Sequence, residues 1–198
     1  MSAAMAWRVI PWASLVETPW KNGGGTTTEI AVAPAGAGMD DFDWRLSAAK
    51  VGGPGPFSSF PGVDRTLLVV DGAGIELRLA GEGSVLVERG GSGFTFAGDA
   101  AVTSTLPGGP ILDLNIMTRR DRFHHAVYRA RDVGPVGLPL GADLVLVVAL
   151  AGRAELAAGD RTVRIDKLDT LVIDGDATGL ELEGGGDIVV ITLIRQGA

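Results

Sequence analysis

The chain has 198 residues and a formal net charge of −7 at pH 7, with 46% hydrophobic and 21% charged residues. This is the composition of a folded globular protein, and the length allows a sizeable core in one domain or in two small ones. The chain has no cysteine, which excludes disulfides, zinc fingers, iron–sulfur clusters and thiol nucleophiles. The acidic balance argues against a nucleic-acid partner, because such binding needs a basic face.

Hydropathy along the chain predicts neither secretion nor membrane insertion. Residues 1–8 lack the basic and apolar regions of a secretory signal. The longest apolar stretch, Leu144–Ala151, is too short to cross a bilayer as a helix. We therefore expect a cytoplasmic protein with no membrane partner, and the lack of cysteine suits that reducing compartment.

Turn residues at regular spacing divide residues 66–120 into short strands. Between Gly74 and Leu79, apolar Ile75 and Leu77 alternate with polar neighbours, as in a half-buried strand. The predicted strands are Thr66–Val70, Gly74–Leu79, Ser84–Glu88, Gly93–Phe96, Ala101–Leu106 and Pro110–Arg120. This cadence is typical of a β-sandwich or barrel.

A second, similar cadence begins near residue 143. A turn is predicted at Gly152 and a tight hairpin at Gly159-Asp160. The predicted strands are Leu144–Leu150, Arg153–Leu156, Thr162–Ile165, Leu171–Ile173, Leu180–Leu182 and Ile188–Ile194. Because the two cadences align, the sequence predicts two structural repeats of one β-barrel unit.

The remaining segments complete this all-β prediction. Strands near residues 26–33 and 44–51 are expected to join the sheets, and Arg129–Gly141 to form an irregular link. Helix is scarce, with one predicted turn at Val16–Trp20 capped by Ser14. The predicted fold is a bicupin, in which two antiparallel cupin-type β-barrels pack as one unit with little helix. Its domains are residues 1–131, the N-terminal segment with the first barrel, and residues 132–198, the second barrel.

Histidine content bears on the metal site that is usual in cupins. That site needs two or three histidines and a glutamate, whereas this chain has only His124 and His125. Neighbouring residues on a strand point to opposite faces, so the two cannot easily bind one metal ion. We therefore predict no transition-metal site and no cofactor.

A glycine-rich loop follows Lys21 and Asn22. The order of residues excludes a nucleotide-binding P-loop, in which glycines precede the lysine and a helix follows. The sequence leaves two interpretations of Gly23-Gly24-Gly25 open. It is either a flexible turn or a loop whose backbone N–H groups approach a ligand closely.

A polar stripe lies along the last strand of the first cadence. Asp113, Asn115, Met117 and Arg119 share one face by strand alternation. Such a stripe either faces solvent or lines a wet cavity in a barrel. The pattern by itself favours solvent.

Four sequence blocks resemble, in order, the signature blocks of the HutD/Ves family, and the similarity extends from about Trp7 to Ile194. The blocks are Pro19-Trp-Lys-Asn-Gly-Gly-Gly-Thr-Thr, Asp43-Trp-Arg-Leu-Ser, Gly55-Pro-Phe-Ser-Ser-Phe-Pro-Gly-Val-Asp-Arg and Asp113-Leu-Asn-Ile-Met-Thr-Arg-Arg. The resemblance implies a metal-independent bicupin from a bacterial cytoplasm, linked to histidine utilisation or to environmental stress. It also implies a regulatory role through binding a histidine-pathway intermediate such as N-formylglutamate or urocanate.

These blocks carry more basic than acidic side chains, while the rest of the chain is strongly acidic. A locally basic pocket attracts small carboxylates, which arginine holds in a two-point grip. We therefore expect a small anionic metabolite as the partner. The predicted ligand-binding residues are Lys21, Asn22, Arg45, Arg65, Asn115 and Arg119. In this hypothesis the cations hold carboxylate and the two asparagines supply directional hydrogen bonds.

Two other functions stay open on the sequence. One is a metal-independent enzyme, a hydrolase or isomerase of a similar small acid, with Asp64 or Asp113 as the acid/base group. The other is a purely structural or protein-binding role. The sequence favours binding over catalysis, and it leaves the ligand, the pathway and a homodimer undetermined.

Overall fold

The computed structural model of this chain describes residues 6–131, 136–138, 141–158, 161–175, 177 and 180–197. Within these ranges the chain forms antiparallel β-strands and one short 3-10 helix, Trp12–Ser14. The first strands are β1 Ala6–Ile10, β2 Glu17–Pro19, β3 Gly25–Ala33, β4 Trp44–Val51, β5 Gly55–Pro56, β6 Val63–Asp71, β7 Gly74–Leu79, β8 Gly83–Glu88 and β9 Phe94–Ala97. The others are β10 Val102–Thr105, β11 Ile111–Arg119, β12 Phe123–Arg131, β13 Val136–Gly137, β14 Leu144–Ala158, β15 Arg161–Ile165, β16 Thr170–Asp174 and β17 Glu181–Arg195.

One compact unit comprises residues 15–123. It contains a six-stranded sheet in the order β2-β3-β4-β11-β6-β9 and a four-stranded sheet in the order β5-β10-β7-β8. Apolar side chains from both sheets, among them Leu67, Val69, Ile75, Leu77 and Val102, form one buried cluster. Their alternation along each strand sets one face of each sheet toward this core.

The other compact unit comprises residues 124–196 together with the N-terminal segment. Its seven-stranded sheet has the order β1-β16-β14-β17-β12, with β13 on β17 and β15 on β14. β1 lies in this sheet because Ala6–Ile10 pairs with Thr170–Asp174. The core includes Val145, Val147, Leu171 and Ile173.

The predicted all-β class is confirmed, since the described part of the chain contains no helix beyond the single 3-10 turn. Nowhere in the described ranges is there a helix with the length and apolar character needed to cross a bilayer. The predicted domains, 1–131 and 132–198, stay predictions, because compactness does not show which segments fold independently. The packing of two barrels as one unit also stays a prediction.

The sequence divided two continuous strands of the second cadence into separate ones, which was wrong. Gly152 does not end a strand, because β14 continues through it to Ala158 with a bulge between Ala149 and Ala151. β17 is likewise continuous where two strands were predicted. Gly152 pairs with Gly186 of β17. A Cβ added to Gly186 would lie 2.2 Å from the Ala151 carbonyl oxygen. Glycine here permits a bulge and a close strand approach rather than a reversal. The predicted turn at Gly159-Asp160 lies outside the described residues.

The predicted helical turn at Val16–Trp20 was also wrong. Glu17–Pro19 is a strand paired with β3, and Glu17 accepts hydrogen bonds from Thr26 and Lys50 across it. Ser14 ends the 3-10 helix and donates to the Pro11 carbonyl at 2.7 Å. These cross-strand contacts outweigh the weak helical preference of so short a segment.

The predicted irregular link at Arg129–Gly141 was wrong in the parts that are described. Strand β12 continues through Arg131, and Val136–Gly137 pairs with β17. The mixed polar and apolar sequence of β12 gave no alternation by which the strand could be predicted. Residues 132–135 and 139–140 lie outside the described residues.

Leu77→Ala tests the packing of the two sheets in the unit of residues 15–123. Leu77 on β7 is fully buried, so its truncation should lower the free energy of unfolding by about 2–5 kcal/mol. The control is Leu86→Ala on the adjacent strand β8, because Leu86 is 51% exposed and should change stability by less than about 0.5 kcal/mol. Urea denaturation followed by circular dichroism measures both, and equal losses would contradict the packing described.

Candidate functional site

A cavity of about 740 Å³ lies within the unit of residues 15–123. Its floor is one face of the six-stranded sheet, with side chains from β3, β4, β6 and β11. The turn between β2 and β3 and the loop of residues 53–60 form its walls. This volume is in the range of small-molecule sites.

Strand register arranges the floor of the cavity in rows. Met117 on the central strand β11 pairs with Arg45 on one side and Arg65 on the other. In the next row on the same face, Asn115 pairs with Ser47, which pairs with Glu29 of β3. In the third row, Asp113 pairs with Ala49. Period-two alternation thus sets polar side chains from four strands on one face.

Arg45 is buried and fixed by two partners. Its Nε donates to Glu29 Oε2 at 2.9 Å, and its Nη1 donates to Ser47 Oγ at 3.0 Å. A buried cation is tolerated only when it is paired and hydrogen-bonded. The ion pair and the hydroxyl therefore hold the guanidinium in one orientation at the cavity.

Arg65 is buried among aromatic rings. Its Cζ lies 5.2 Å from the ring centroids of Phe57, Phe60 and Phe96, within the range of cation–π attraction. Its Nη1 donates to the Ser58 carbonyl at 3.2 Å. Burial lowers the pKa of Arg65 to about 10, with Asp113 opposing this shift and Arg45 adding to it. The guanidinium thus stays positive at neutral pH.

Asp113 is a buried carboxyl at the cavity, 2% exposed. Burial raises its pKa to about 7, although the positive charge of Arg65 and a hydrogen bond from the Ala49 backbone act in the opposite direction. A carboxyl that titrates near neutral pH in a cavity is typical of functional sites.

Buried polar atoms without partners are concentrated in this cavity. Of the four such side-chain atoms in the described part of the chain, three are Arg65 Nε, Asp113 Oδ1 and Asn115 Oδ1. Native proteins leave few buried polar atoms unsatisfied, because each one costs about 1–3 kcal/mol. One donor and two acceptors that lack protein partners therefore belong to residues that line the same cavity.

Five of the six predicted ligand-binding residues line this cavity: Lys21, Asn22, Arg45, Arg65 and Asn115. Lys21 and Asn22 lie in the turn that joins β2 to β3, where Asn22 Oδ1 accepts from the Gly24 N–H at 3.0 Å. At the end of this turn Gly25 is required, because a Cβ there would lie 2.3 Å from the Lys50 carbonyl oxygen. The stripe of Asp113, Asn115 and Met117 lines the cavity, so the preference for solvent was wrong.

Two other predicted residues are not brought to this cavity, and their predicted roles stay predictions. Arg119 lies outside the cavity lining: its Nε donates to the Phe42 carbonyl at 2.8 Å, its Nη2 donates to the Asp40 carbonyl, and its Cζ lies over the Phe42 ring. It secures the loop before β4. Asp64, an alternative acid/base group, also lies outside the lining and pairs with Arg120 at 2.6 Å. Both residues are near strand ends, where side chains reach surface partners instead.

Several lining residues were not predicted from the sequence. Glu29 and Ser47 orient Arg45, while Ser58, Phe57 and Phe60 surround Arg65. Glu29 and Ser47 lie two residues from other lining residues on β3 and β4. The two-residue alternation of a strand could therefore have predicted them. The loop residues offered none, because no periodicity applies there.

The two histidines are adjacent on β12. Their ring centroids lie 6.5 Å apart, with His124 exposed and His125 buried. Among the described residues, no group of three or more His, Asp or Glu side chains is arranged to hold a metal ion. The predictions of no metal and no cofactor stay predictions.

The chain has an all-β, cupin-like fold shared with solved structures, and one of its two units holds a polar, arginine-lined cavity. The chain belongs to the HutD family, whose model matches residues 13–190. The predicted resemblance is thereby confirmed.

Named relatives agree with this assignment. The chain is 37% identical over 182 residues to an uncharacterized 21.2 kDa protein in the hutC 3′ region of Pseudomonas putida, covering 90% of this chain and 92% of that one. It is 44% identical over 104 residues to protein Ves of Citrobacter koseri, covering 52% and 53% of the two chains. The solved structure of HutD from Pseudomonas fluorescens, in a formate condition, superimposes with a TM-score of 0.84 at 35% identity, covering 97% and 100%.

Asp113→Asn tests the electrostatics of the cavity. Because the pKa of Asp113 is about 7 when folded and 3.8 in the ordinary solvated state, folding takes up a proton between these pH values. The contribution of Asp113 to the free energy of unfolding therefore falls as pH rises from about 4 to about 7, and it is level above. A difference of one pKa unit corresponds to about 1.4 kcal/mol. The free energy of unfolding of Asp113→Asn should therefore rise by a few kcal/mol relative to that of the wild type as the pH increases over this range.

Urea denaturation at several pH values between 4 and 8 measures this gain. Asp121→Asn is the matched control, because it removes an exposed carboxylate and should change stability by less than about 0.5 kcal/mol. Parallel pH profiles for Asp113→Asn and the wild type would contradict the burial assigned to Asp113.

Proposed function

We propose that this chain binds a small carboxylate metabolite in the cavity of residues 15–123, as a regulator rather than a catalyst. The observation that carries the proposal is the buried pair Arg45 and Arg65, which share a row on one sheet face. Arg65 Nε is buried there without a protein partner. Guanidinium groups bind carboxylates in a planar, two-point geometry, and burial strengthens such contacts.

The balance of charge in the cavity favours an anion. The cavity lining includes three cationic side chains, Lys21, Arg45 and Arg65, and two carboxyl groups, Glu29 and Asp113. Glu29 is already paired with Arg45. An excess of positive charge therefore remains for a ligand within an otherwise acidic chain. Asn115 supplies a hydrogen-bonding amide in the middle row.

Relatives support histidine utilisation as the setting. One relative is named for the hutC 3′ region and another is named HutD. Intermediates of that pathway include N-formylglutamate and urocanate, which are small acids suited to this cavity. We propose one of these as the ligand and a cytoplasmic location for the protein, with no nucleic-acid or membrane partner.

A second candidate is catalysis by Asp113. The supporting observation is a buried carboxyl whose pKa is about 7 in the same cavity as Arg65, which suits a general acid or base in a hydrolase or isomerase. Incubation with N-formylglutamate or urocanate, followed by proton NMR of products, separates the two functions. Regulatory binding requires that the ligand is recovered unchanged, whereas catalysis requires a product that Asp113→Asn does not form.

Arg65→Ala tests the binding function. N-formylglutamate or urocanate at millimolar concentration should raise the melting temperature of the wild type, because a ligand bound only by the folded state stabilises it. Loss of a charged hydrogen bond worth about 1.5–3 kcal/mol should weaken affinity by about tenfold or more in Arg65→Ala. The measured quantity is the ligand-induced shift for each variant, which removes the effect of the substitution on the unliganded fold.

Arg153→Ala is the matched control. Arg153 lies on β14 and forms an exposed ion pair with Asp166 at 2.8 Å, so its loss should leave the ligand-induced shift unchanged. Equal reductions in Arg65→Ala and Arg153→Ala, or no shift with either ligand, would refute the assigned binding site.

A further inference from the structure

The cavity contains acceptors as well as cations. Asp113 Oδ1 is fully buried and has no hydrogen-bond partner, and Asp113 is itself among the lining residues. An ionised carboxylate only accepts hydrogen bonds. Ionised Asp113 therefore repels the oxygen atoms of a carboxylate ligand held by the arginines. A ligand that also carries an N–H or O–H donor can instead form a hydrogen bond with Asp113.

The described part of the protein supplies no donor to Asp113 Oδ1, although the Ala49 backbone donates to this carboxyl group. The charges of Arg65 and Asp113 attract each other, yet the two side chains do not form an ion pair with each other in the described part of the chain. Arg65 Nη1 is committed to the Ser58 carbonyl, while its Nε has no partner. Arg65 and Asp113 therefore line one cavity without pairing with each other, and each has a buried polar atom that lacks a hydrogen-bond partner.

Register gives these groups a fixed order. Arg45 and Arg65 lie in the Met117 row, Asn115 in the next row, and Asp113 in the third. Asn115 has an amide that both donates and accepts, so it suits either kind of ligand group. Among these four residues, only ionised Asp113 distinguishes a ligand that carries a donor from one that carries an acceptor there. It accepts a hydrogen bond from the donor and repels another oxygen atom.

We infer that the site selects carboxylates that also carry an N–H or O–H donor, with Asp113 as the specificity-determining acceptor for that donor. The inference rests on the proposed function, since it assumes that the arginines hold the carboxylate. It names a class of ligand, such as N-acylated amino acids or hydroxy acids, and it disfavours plain carboxylic acids of similar size. A site built to bond a donor strongly rejects an analogue without it, because the buried acceptor is then left unpaired.

A matched ligand pair tests this selectivity. N-formyl-L-glutamate carries an N–H, whereas freshly prepared (S)-2-formyloxyglutarate has an ester oxygen in its place and nearly the same shape. Calorimetric titration at pH 8, above the pKa of about 7 of Asp113, keeps the carboxyl ionised. The wild type should bind the amide about tenfold or more tightly than the ester.

Asp113→Leu completes the experiment. Leucine removes the acceptor but keeps an apolar side chain of similar size, so the preference for the amide should disappear. The comparison of the two ligands on the wild type stands even if this variant does not fold.

Equal affinities on the wild type, or an undiminished preference in Asp113→Leu, would overturn the inference. If the equal affinities are both reduced by Arg65→Ala, the donor requirement fails while carboxylate binding survives. Absence of binding by either ligand would overturn carboxylate binding and the donor requirement together.

Discussion

The burial of two guanidinium groups on one sheet face is the constraint on which the site depends. Taking a cation out of water is costly unless partners replace its hydration. Glu29 and Ser47 do this for Arg45, while three phenylalanine rings and one carbonyl surround Arg65. These contacts fix both side chains but leave Arg65 Nε without a partner. The arrangement therefore combines rigidity with a remaining capacity to bind, which is the property of a preorganised site.

Strand alternation separates the polar side chains of the cavity from a buried apolar face on the other side of the same sheet. On β11, Leu114 and Ile116 are buried on one face, while Asp113 and Asn115 lie on the cavity face. Neighbouring strands repeat this pattern in register, so polar residues from distant parts of the sequence meet in rows. A one-residue slip of β11 would exchange its polar and apolar faces. Stability of the sheet and geometry of the site are thus set by a single register.

The fold was largely predictable from the sequence because alternation and turn residues are local signals. They located most strands, but they failed at Gly152, where glycine allows a bulge in a continuous strand instead of a turn. For the site, the four sequence blocks supplied five residues that line one cavity. The polar stripe of β11 was misassigned to solvent because alternation is the same for a polar face in water and in a cavity. Whether a polar face of β11 is exposed to water or lines a cavity depends on the strands that flank it. Those strands are distant in the sequence, so local alternation does not predict their positions.

Arg65 and Arg119 show why residue type and strand face together do not define a site. Arg65 lies within β6, between two paired strands, and its buried Nε has no partner in the protein. Arg119 is the last residue of β11, and its guanidinium turns to the carbonyl groups of Phe42 and Asp40. Two of its donors are thereby used to hold a loop, so its charge is structural. The difference between these two arginines lies at Nε: that of Arg119 donates to the Phe42 carbonyl, whereas that of Arg65, a cavity-lining residue, has no partner in the protein.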